Sequence, residues 1–463
     1  MEHSIDTDLR PQLTEGSLVR SLVRFTIPFL LANVLQVFYG TADLIIVGQF
    51  SSRSSDLAAI SNASQIIHVI TFFITGFASG GMVLIGQQLG AQRYEEIRKS
   101  IWTILSSFAI LGAGLSILTV VLSPWILRVM NVPEESMAAA HDYMVVCGGG
   151  LILATGYNVF SAILRGLGDS KSPLIFIAIA CGINVFGDLL LVAEFGLGPA
   201  GAAYATVAAQ GISVLFAAWK LQKVYRSDLF VWKTLRIDFS ILRSLIKLGL
   251  PVAAEGLLVN VSFMFINAMI NRHGLVASSA IGVIEKVGSI VRLPASSFSM
   301  SVSAMVAQNI GADNVPRAKK TLYCGILSAL CLSLFTFAAM RFAPDMIMQL
   351  YTPDMEIIAA GREYMRSFSY DTLFVCGTFC MAGFFSGCGK SLFTLARNLI
   401  STLLIRVPLA YYFCHITPFS MFQVGLAAPI ASVASILIGL IYLKSGTFPR
   451  SHLRSPHNSF TER

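Results

Sequence analysis

Long runs of apolar residues recur from one end of this 463-residue chain to the other, and each is long enough to cross a lipid bilayer. A helix of about 20 residues spans the hydrocarbon core while satisfying its own backbone hydrogen bonds. The composition agrees, with 55% hydrophobic residues, 13% charged residues and a mean hydropathy of +0.71. We therefore predict an all-α polytopic membrane protein with twelve transmembrane helices. The predicted spans are 22–48, 57–88, 101–123, 139–164, 173–194, 199–221, 243–270, 277–309, 319–341, 357–386, 392–414 and 421–443.

The basic residues are distributed unevenly between the two sides of these spans. If the N-terminus is cytoplasmic, 24 of the 33 Lys and Arg residues fall in inner segments and six in outer loops. The three within spans are Lys286, Arg292 and Arg406. An excess of Lys and Arg marks the cytoplasmic side, so we expect both termini to be cytoplasmic in a bacterial-type inner membrane. This topology explains the net charge of +8, and no nucleic-acid partner is expected.

The two halves of the chain resemble each other at an offset of about 221 residues. The strongest block aligns 77–100 with 298–321, and weaker matches in the same order include Pro28 with Pro251. Such internal similarity indicates repeated structural units. Because each half has an even number of spans, the second half enters from the same side as the first. We therefore predict two parallel six-helix repeats, as in transporters that alternate access between their halves.

This repeat predicts the domain organisation. We expect an N-lobe of six spans in residues 1–221 and a C-lobe of six spans in residues 243–445. The basic stretch at 222–242 is predicted to be a cytoplasmic linker, and 446–463 a cytoplasmic tail.

Acidic residues within spans are functional candidates, because a carboxylate there costs about 3 kcal/mol on insertion scales. The first span has a polar stripe that includes Gln36 and Asp43, the fifth span has Asn184 and Asp188 on one face, and the sixth has Thr206. If these faces converge, their oxygen atoms form a pocket in low dielectric that suits either H⁺ or Na⁺. Hydrogen bonding between adjacent helices is the alternative interpretation.

The remaining candidates have less definite partners. Residues proposed to line a substrate cavity are Gln36, Tyr39, Glu255, Glu285 and Asp371. Pro28 lies within the first span, where a proline removes a backbone hydrogen bond, so it is either a moving bend or a static kink. His68 of the second span is titratable, but a buried hydrogen-bonded role is the favoured interpretation.

Six segments carry a resemblance to a known family, namely PFLLANVLQVFYGTAD at 28–43, GQQLGA at 86–91, RGLGD at 165–169, GAAYAT at 201–206, LP at 293–294 and AQNIGA at 307–312. They resemble the multidrug and toxic compound extrusion (MATE) family, specifically its DinF-like bacterial branch, over nearly the whole chain. The resemblance implies a two-lobe exporter of twelve helices that exchanges inward H⁺ or Na⁺ for outward movement of amphipathic, often cationic, drugs.

The resemblance also implies roles for individual residues. The cation site of that branch corresponds to Asp43, Asn184, Asp188 and Thr206, and its bending first helix corresponds to Pro28. Two departures stand out. Leu189 occupies a position where many relatives have proline, and Glu255 and Asp371 are not clearly in register with the C-lobe acids of the NorM-like branch.

The leading functional prediction is a cation-coupled multidrug antiporter that acts as a monomer on small-molecule drugs or organic cations. It needs no cofactor beyond the coupling ion, H⁺ or Na⁺. A flippase for lipid-linked saccharides is the alternative, which a cavity lined by arginine would favour, and a channel or structural protein leaves the parallel repeat unexplained. An enzyme is not expected, because no nucleophile and base pair, metal-ligand cluster or phosphate loop is evident.

Overall fold

The computed structural model describes residues 13–51, 53–225, 237–416 and 418–445, which form helices and no strands. Eleven of these helices are long and apolar enough to span a membrane, and a pair bent by 44° makes a twelfth. The predicted all-α class and the twelve spans are confirmed. The spanning helices are α1 (Leu18–Phe50), α2 (Ser54–Gly90), α3 (Tyr94–Val129), α4 (Glu134–Gly149 and Leu151–Gly166), α5 (Lys171–Glu194), α6 (Gly198–Tyr225), α7 (Phe239–Ile270), α8 (Leu275–Gly311), α9 (Val315–Phe342), α10 (Met355–Gly387), α11 (Ser391–His415) and α12 (Met421–Lys444).

Helix α3 illustrates why these helices belong in lipid. Its outer face has large apolar side chains, with Ile110, Ile117 and Val121 exposed by 66%, 65% and 67%. Its buried face includes small residues such as Gly112 and Ser116. Small residues let membrane helices approach each other closely, whereas large apolar side chains are solvated by lipid. The protein is therefore a multi-pass membrane protein.

The described residues fall into two compact units. The first comprises Ile27–Ala253, and the second comprises Leu13–Thr26 together with the described residues from Ala254 onward. Both boundaries lie inside a helix, close to Pro28 in α1 and to Pro251 in α7. Since proline leaves the carbonyl four residues earlier without its helical donor, each of these helices has a weak point near the boundary.

The structure describes only the two ends of the predicted linker and none of the predicted tail. Helix α6 ends at Tyr225 and α7 begins at Phe239, so both helices extend into the predicted linker at 222–242. Residues 226–236, and the predicted tail at 446–463, lie outside the described residues. The lobe boundaries at 221 and 243 stay predictions.

Local geometry repeats at the offset found in the sequence. Gly166 of α4 lies against a backbone carbonyl of α2, to which an added Cβ would approach within 2.7 Å. Gly387 of α10 lies against a carbonyl of α8 in the same way, at 2.6 Å. The turns after α2 and α8 each contain a residue with positive φ, Gln92 at 56° and Asp313 at 55°. Each second-half residue is 221 positions after its counterpart.

Helices α5 and α11 both widen into π-helical turns. In α5 the α-helix Lys171–Asp188 continues as the π-helical segment Leu189–Glu194. In α11 the segment Ile400–Arg406 is π-helical. Single π-helical turns within α-helices occur often at functional sites, because they rotate the side chains on either side of the insertion. The two segments lie beside Asp188 and contain Arg406, respectively.

Candidate functional site: a buried acidic cluster in the first half

Three helices of the first unit bring the predicted polar side chains together. Asp43 comes from α1, Asn184 and Asp188 from successive turns of α5, and Thr206 from α6. All four side chains are buried, and Asn184 and Asp188 have no exposed surface. Residues four apart share one face of a helix, which explains why both α5 side chains point towards Asp43.

Hydrogen bonds connect the cluster across the three helices. The Thr206 hydroxyl donates to Asp43 Oδ2 at 3.1 Å and accepts from the Asn184 amide at 3.3 Å. The Tyr39 hydroxyl donates to the backbone carbonyl of Thr206 at 3.1 Å, which joins α1 to α6. The carboxyl groups of Asp43 and Asp188 lie side by side, within hydrogen-bonding reach of each other. The structure therefore brings together the four predicted residues.

Four buried oxygen atoms of this cluster have no hydrogen-bond donor in the part of the chain that the structure describes. They are Oδ1 of Asp43, Oδ1 of Asn184 and both carboxyl oxygens of Asp188. Among the described residues, no Lys or Arg forms an ion pair with either acid. A buried unpaired acceptor costs about 1–3 kcal/mol and a charged one more. Two adjacent carboxylates are both acceptors, so they need a shared proton or a bound cation to coexist.

The donor set suits a proton or a hard cation. Carboxylate, amide and hydroxyl oxygens favour hard ions over soft transition metals. The described residues contain no group of three or more His, Cys, Asp and Glu side chains that would hold a metal ion. His68 of α2 lies opposite Gly40 of α1 and interacts electrostatically with Asp43. It is the basic side chain that adjoins the acidic pair.

Comparison with known proteins identifies the family. The model of the MatE family matches residues 28–190 and again residues 251–412, together more than half of the chain. This chain belongs to the MatE family. The two matches begin at Pro28 and Pro251, the prolines aligned within the sequence repeat, so the repeat is confirmed by two matches to one family model. The predicted MATE resemblance is confirmed, and assignment to the DinF-like branch stays a prediction.

Individual relatives of this MatE protein cover nearly its whole length. The probable multidrug resistance protein YpnP of Bacillus subtilis (strain 168) is 28% identical over 412 residues, covering 86% of this chain and 89% of that protein. A probable multidrug resistance protein NorM of Thermotoga maritima is 24% identical, covering 97% of each chain. The outward-facing structure of a multidrug resistance MATE family transporter matches with a TM-score of 0.87 at 22% identity, covering 94% of this chain and 97% of that one.

These comparisons bear on the alternatives raised by the sequence. The relatives named above are multidrug resistance proteins and transporters, which argues against an enzyme and does not favour a flippase for lipid-linked saccharides. The first family match includes Asp43, Asn184 and Asp188. The role of these residues in cation coupling stays a prediction.

The second half of this MatE protein has no counterpart to the acidic pair among the residues that sequence reasoning selected. Glu285 Oε1 accepts from the Asn267 amide at 2.5 Å, and Asp371 Oδ1 accepts from the Ser432 hydroxyl at 2.5 Å. Glu255 instead accepts a hydrogen bond from Asn398. The three acids are therefore held by separate partners on different helices.

Arg397 is one of the basic residues that the sequence assigns to inner segments. Its side chain is only 1% exposed within α11, and the side of the membrane on which it lies stays a prediction. It donates to the backbone carbonyl of Thr378 at 2.9 Å and interacts electrostatically with Glu255. Burial beside a carboxylate, which the spacing of basic residues alone does not reveal, offsets part of the cost of its charge.

Only some of the predicted residues of α1 contact the acidic cluster. Tyr39 contacts the cluster, whereas the Gln36 side chain is exposed and makes no hydrogen bond to it. Helix α1 runs unbroken through Pro28 from Leu18 to Phe50. The roles of Gln36 in substrate binding and of Pro28 in bending stay predictions.

Sequence reasoning missed three residues of the second unit. Arg292 of α8 and Arg406 of α11 both lie over the ring of Phe263 of α7. The sequence counts both arginines as lying within spans but assigns them no role. Their position within spans was the signal in the sequence that could have identified them, because a basic side chain in a membrane span is as costly as an acidic one.

Proposed function

We propose that this MatE protein is a cation-coupled antiporter that exports amphipathic, often cationic, compounds. The observation that carries the proposal is the buried Asp43–Asp188 pair, in which three of the four carboxyl oxygens lack donors among the described residues. Such a pair is stable only with a proton or cation bound. The names of the multidrug resistance relatives support drugs as the substrate class.

The coupling step follows from the chemistry of the cluster. Binding of H⁺ or Na⁺ offsets one of the two negative charges of Asp43 and Asp188 and so relieves their repulsion, whereas release leaves like charges in contact in low dielectric. Asn184 and Thr206 orient the two acids through their hydrogen bonds. A cation that binds one conformation better than another shifts the equilibrium between them, which is the thermodynamic basis of exchange in alternating access.

Topology supports the direction of transport. The excess of basic residues on one side favours insertion in a bacterial-type inner membrane, with both termini cytoplasmic. A cation gradient directed inward across that membrane drives outward movement of drug by exchange. We expect a monomer to suffice, because each polar group named above comes from a single chain.

The test is transport of a cationic dye into inverted membrane vesicles. An interior-acidic pH gradient and an interior-high Na⁺ gradient are imposed separately on vesicles with wild-type protein, Asp43→Asn or Asp188→Asn. Asparagine keeps the shape of aspartate and adds a donor, so the variants should fold while losing the charge that binds the cation. We expect one gradient to drive transport by the wild type. Under that gradient, each variant should transport the dye about 5- to 150-fold more slowly than wild type.

The control is Glu194→Gln, which removes an exposed acid at the end of the same helix α5. It should transport at the wild-type rate. Undiminished gradient-driven transport in both Asp43→Asn and Asp188→Asn would rule out the acidic pair as the coupling site. Transport by the wild type that responds to neither gradient would rule out cation coupling by H⁺ or Na⁺.

A further inference from the structure

Two arginines of the second unit share one aromatic ring within the membrane-spanning helices. The guanidinium carbon of Arg406 lies 3.8 Å from the ring centroid of Phe263, and that of Arg292 lies 4.8 Å from it. Arg292 is near the middle of α8, and Arg406 ends the π-helical segment of α11. Three helices that are distant in sequence therefore place two positive charges beside each other.

Neither arginine forms an ion pair in the described chain. No hydrogen bond from either guanidinium, and no carboxylate at ion-pair distance, is present among the described residues, and Arg406 Nε is buried without an acceptor. Other arginines of the second unit do have acceptors, such as Arg362 with Asp345 at 2.6 Å. The two arginines thus differ from Arg362 in contacting an aromatic ring rather than a hydrogen-bond acceptor.

The nearest acids are Asp371 and Glu285, which interact electrostatically with both arginines but lie beyond ion-pair distance. Their carboxyl groups accept hydrogen bonds from Ser432 and Asn267. A cation–π contact stabilises each guanidinium group, but two like charges on one ring repel each other. Both residues are partly exposed, although Arg406 Nε is itself buried.

We propose that Arg292, Arg406 and Phe263 form a binding site for the anionic group of amphipathic organic anions, that is, a carboxylate, sulfonate or phosphate attached to an apolar body. Guanidinium groups bind such oxyanions through paired, charge-assisted hydrogen bonds. The Phe263 ring supplies an apolar contact for the attached body. The inference rests on the proposed transport function, and it extends the substrate class from cations to anions and zwitterions.

The test compares two dyes that share a xanthene core but differ in charge. Fluorescein is anionic at neutral pH and rhodamine 123 is cationic, and fluorescence polarisation measures the binding of each to the purified full-length protein in detergent. We expect Arg292→Gln and Arg406→Gln to weaken fluorescein binding by about tenfold or more each. Rhodamine 123 binding should stay within about threefold of wild type, because the site makes no favourable contact with a cation.

Two further variants separate a binding role from a structural one. Lys286→Gln removes an exposed basic residue from the same helix α8 and should leave fluorescein binding unchanged. Arg406→Lys keeps the charge but loses the planar fork, so its affinity for fluorescein should fall between those of wild type and Arg406→Gln. Equal fluorescein binding by wild type and both Gln variants would overturn the proposal, as would a parallel loss of both dyes.

The outcomes also distinguish this inference from the proposed function. Wild-type protein that binds rhodamine 123 but not fluorescein overturns the anion site and leaves the cation-coupled exporter intact. Arginine-dependent fluorescein binding by protein that shows no gradient-driven transport supports the anion site and overturns the proposed coupling.

Discussion

The two halves of this protein share a fold but carry unpaired charges of opposite sign. In the first half, α1, α5 and α6 enclose Asp43 and Asp188, and no described Lys or Arg pairs with them. In the second half, α7, α8 and α11 bring Arg292 and Arg406 onto the ring of Phe263. Helix α7 is the repeat counterpart of α1, and α11 that of α5. Helix α11 thus carries Arg406, whereas its counterpart α5 carries Asp188.

The difference shows that the fold and its sites are under separate physical constraints. Close contacts such as that of Gly166 with α2, repeated by Gly387 with α8, leave no room for a side chain. The charged positions have a different constraint, because a charge in low dielectric must be offset by a ligand or partner of opposite sign. An acid and a base can each meet this constraint. A repeated fold therefore keeps its packing while its sites change chemistry.

The largest expected effect is on the transport rate, when acids of the first half are replaced and the result is compared with replacement of an acid in the second half. The double variant Asp43→Asn/Asp188→Asn should transport a cationic dye no more slowly than either single variant, because both carboxyls serve one cation. The change Asp371→Asn in the second half should lower the rate by less than about threefold. Initial rates in proteoliposomes under the driving gradient measure both effects.

Other results would alter this picture. Losses that add in the double variant would show that Asp43 and Asp188 act independently. A loss from Asp371→Asn as large as that from Asp188→Asn would give the second half a share in coupling.

An intermediate effect is expected from the close helix contacts, and it should be the same in both halves. Gly166→Ala and Gly387→Ala each place a Cβ within 2.7 Å or less of a backbone carbonyl, so each should lower the free energy of unfolding by about 1–3 kcal/mol. Thermal unfolding of the purified variants measures the change.

Gly182→Ala and Gly282→Ala are the matched controls, because nothing lies within 4 Å of an added Cβ at either position. These two variants should be as stable as wild type. Destabilisation by Gly166→Ala but not by Gly387→Ala would mean that the two contacts are not equivalent.

The smallest effect is expected from a single hydroxyl group. Thr206→Val removes the group that links Asn184 to Asp43, and a net contribution of about 1 kcal/mol predicts a rise of about fivefold in the half-saturating concentration of the coupling cation. Thr206→Ser should restore the wild-type value. Cation dependence of the transport rate measures the shift.

The comparison variant in the second half is Thr378→Val, whose hydroxyl donates only to the Val375 carbonyl of its own helix at 2.9 Å. It should leave the cation dependence unchanged. Equal shifts from Thr206→Val and Thr378→Val would indicate a general effect of losing a buried hydroxyl.

Sequence reasoning selected the acidic cluster more successfully than the arginine pair, for an identifiable reason. The spacing of Asn184 and Asp188 places them on one helical face, and the polar faces of the first and sixth spans select Asp43 and Thr206. The family resemblance points to the same four residues. The arginines have no such spacing, since Arg292 and Arg406 lie on different helices and meet only through Phe263.

The number of spans and the two-fold repeat were determined by the sequence, because hydrocarbon requires long apolar helices and because repeated units leave matching residues. Which polar groups meet was decided only by the tertiary structure, since contacts between helices depend on packing that no single helix encodes. The tertiary structure alone also showed the unit boundaries inside α1 and α7 and the burial of Arg397. Lipid acts on each helix separately, whereas a site requires several helices to be held at defined distances.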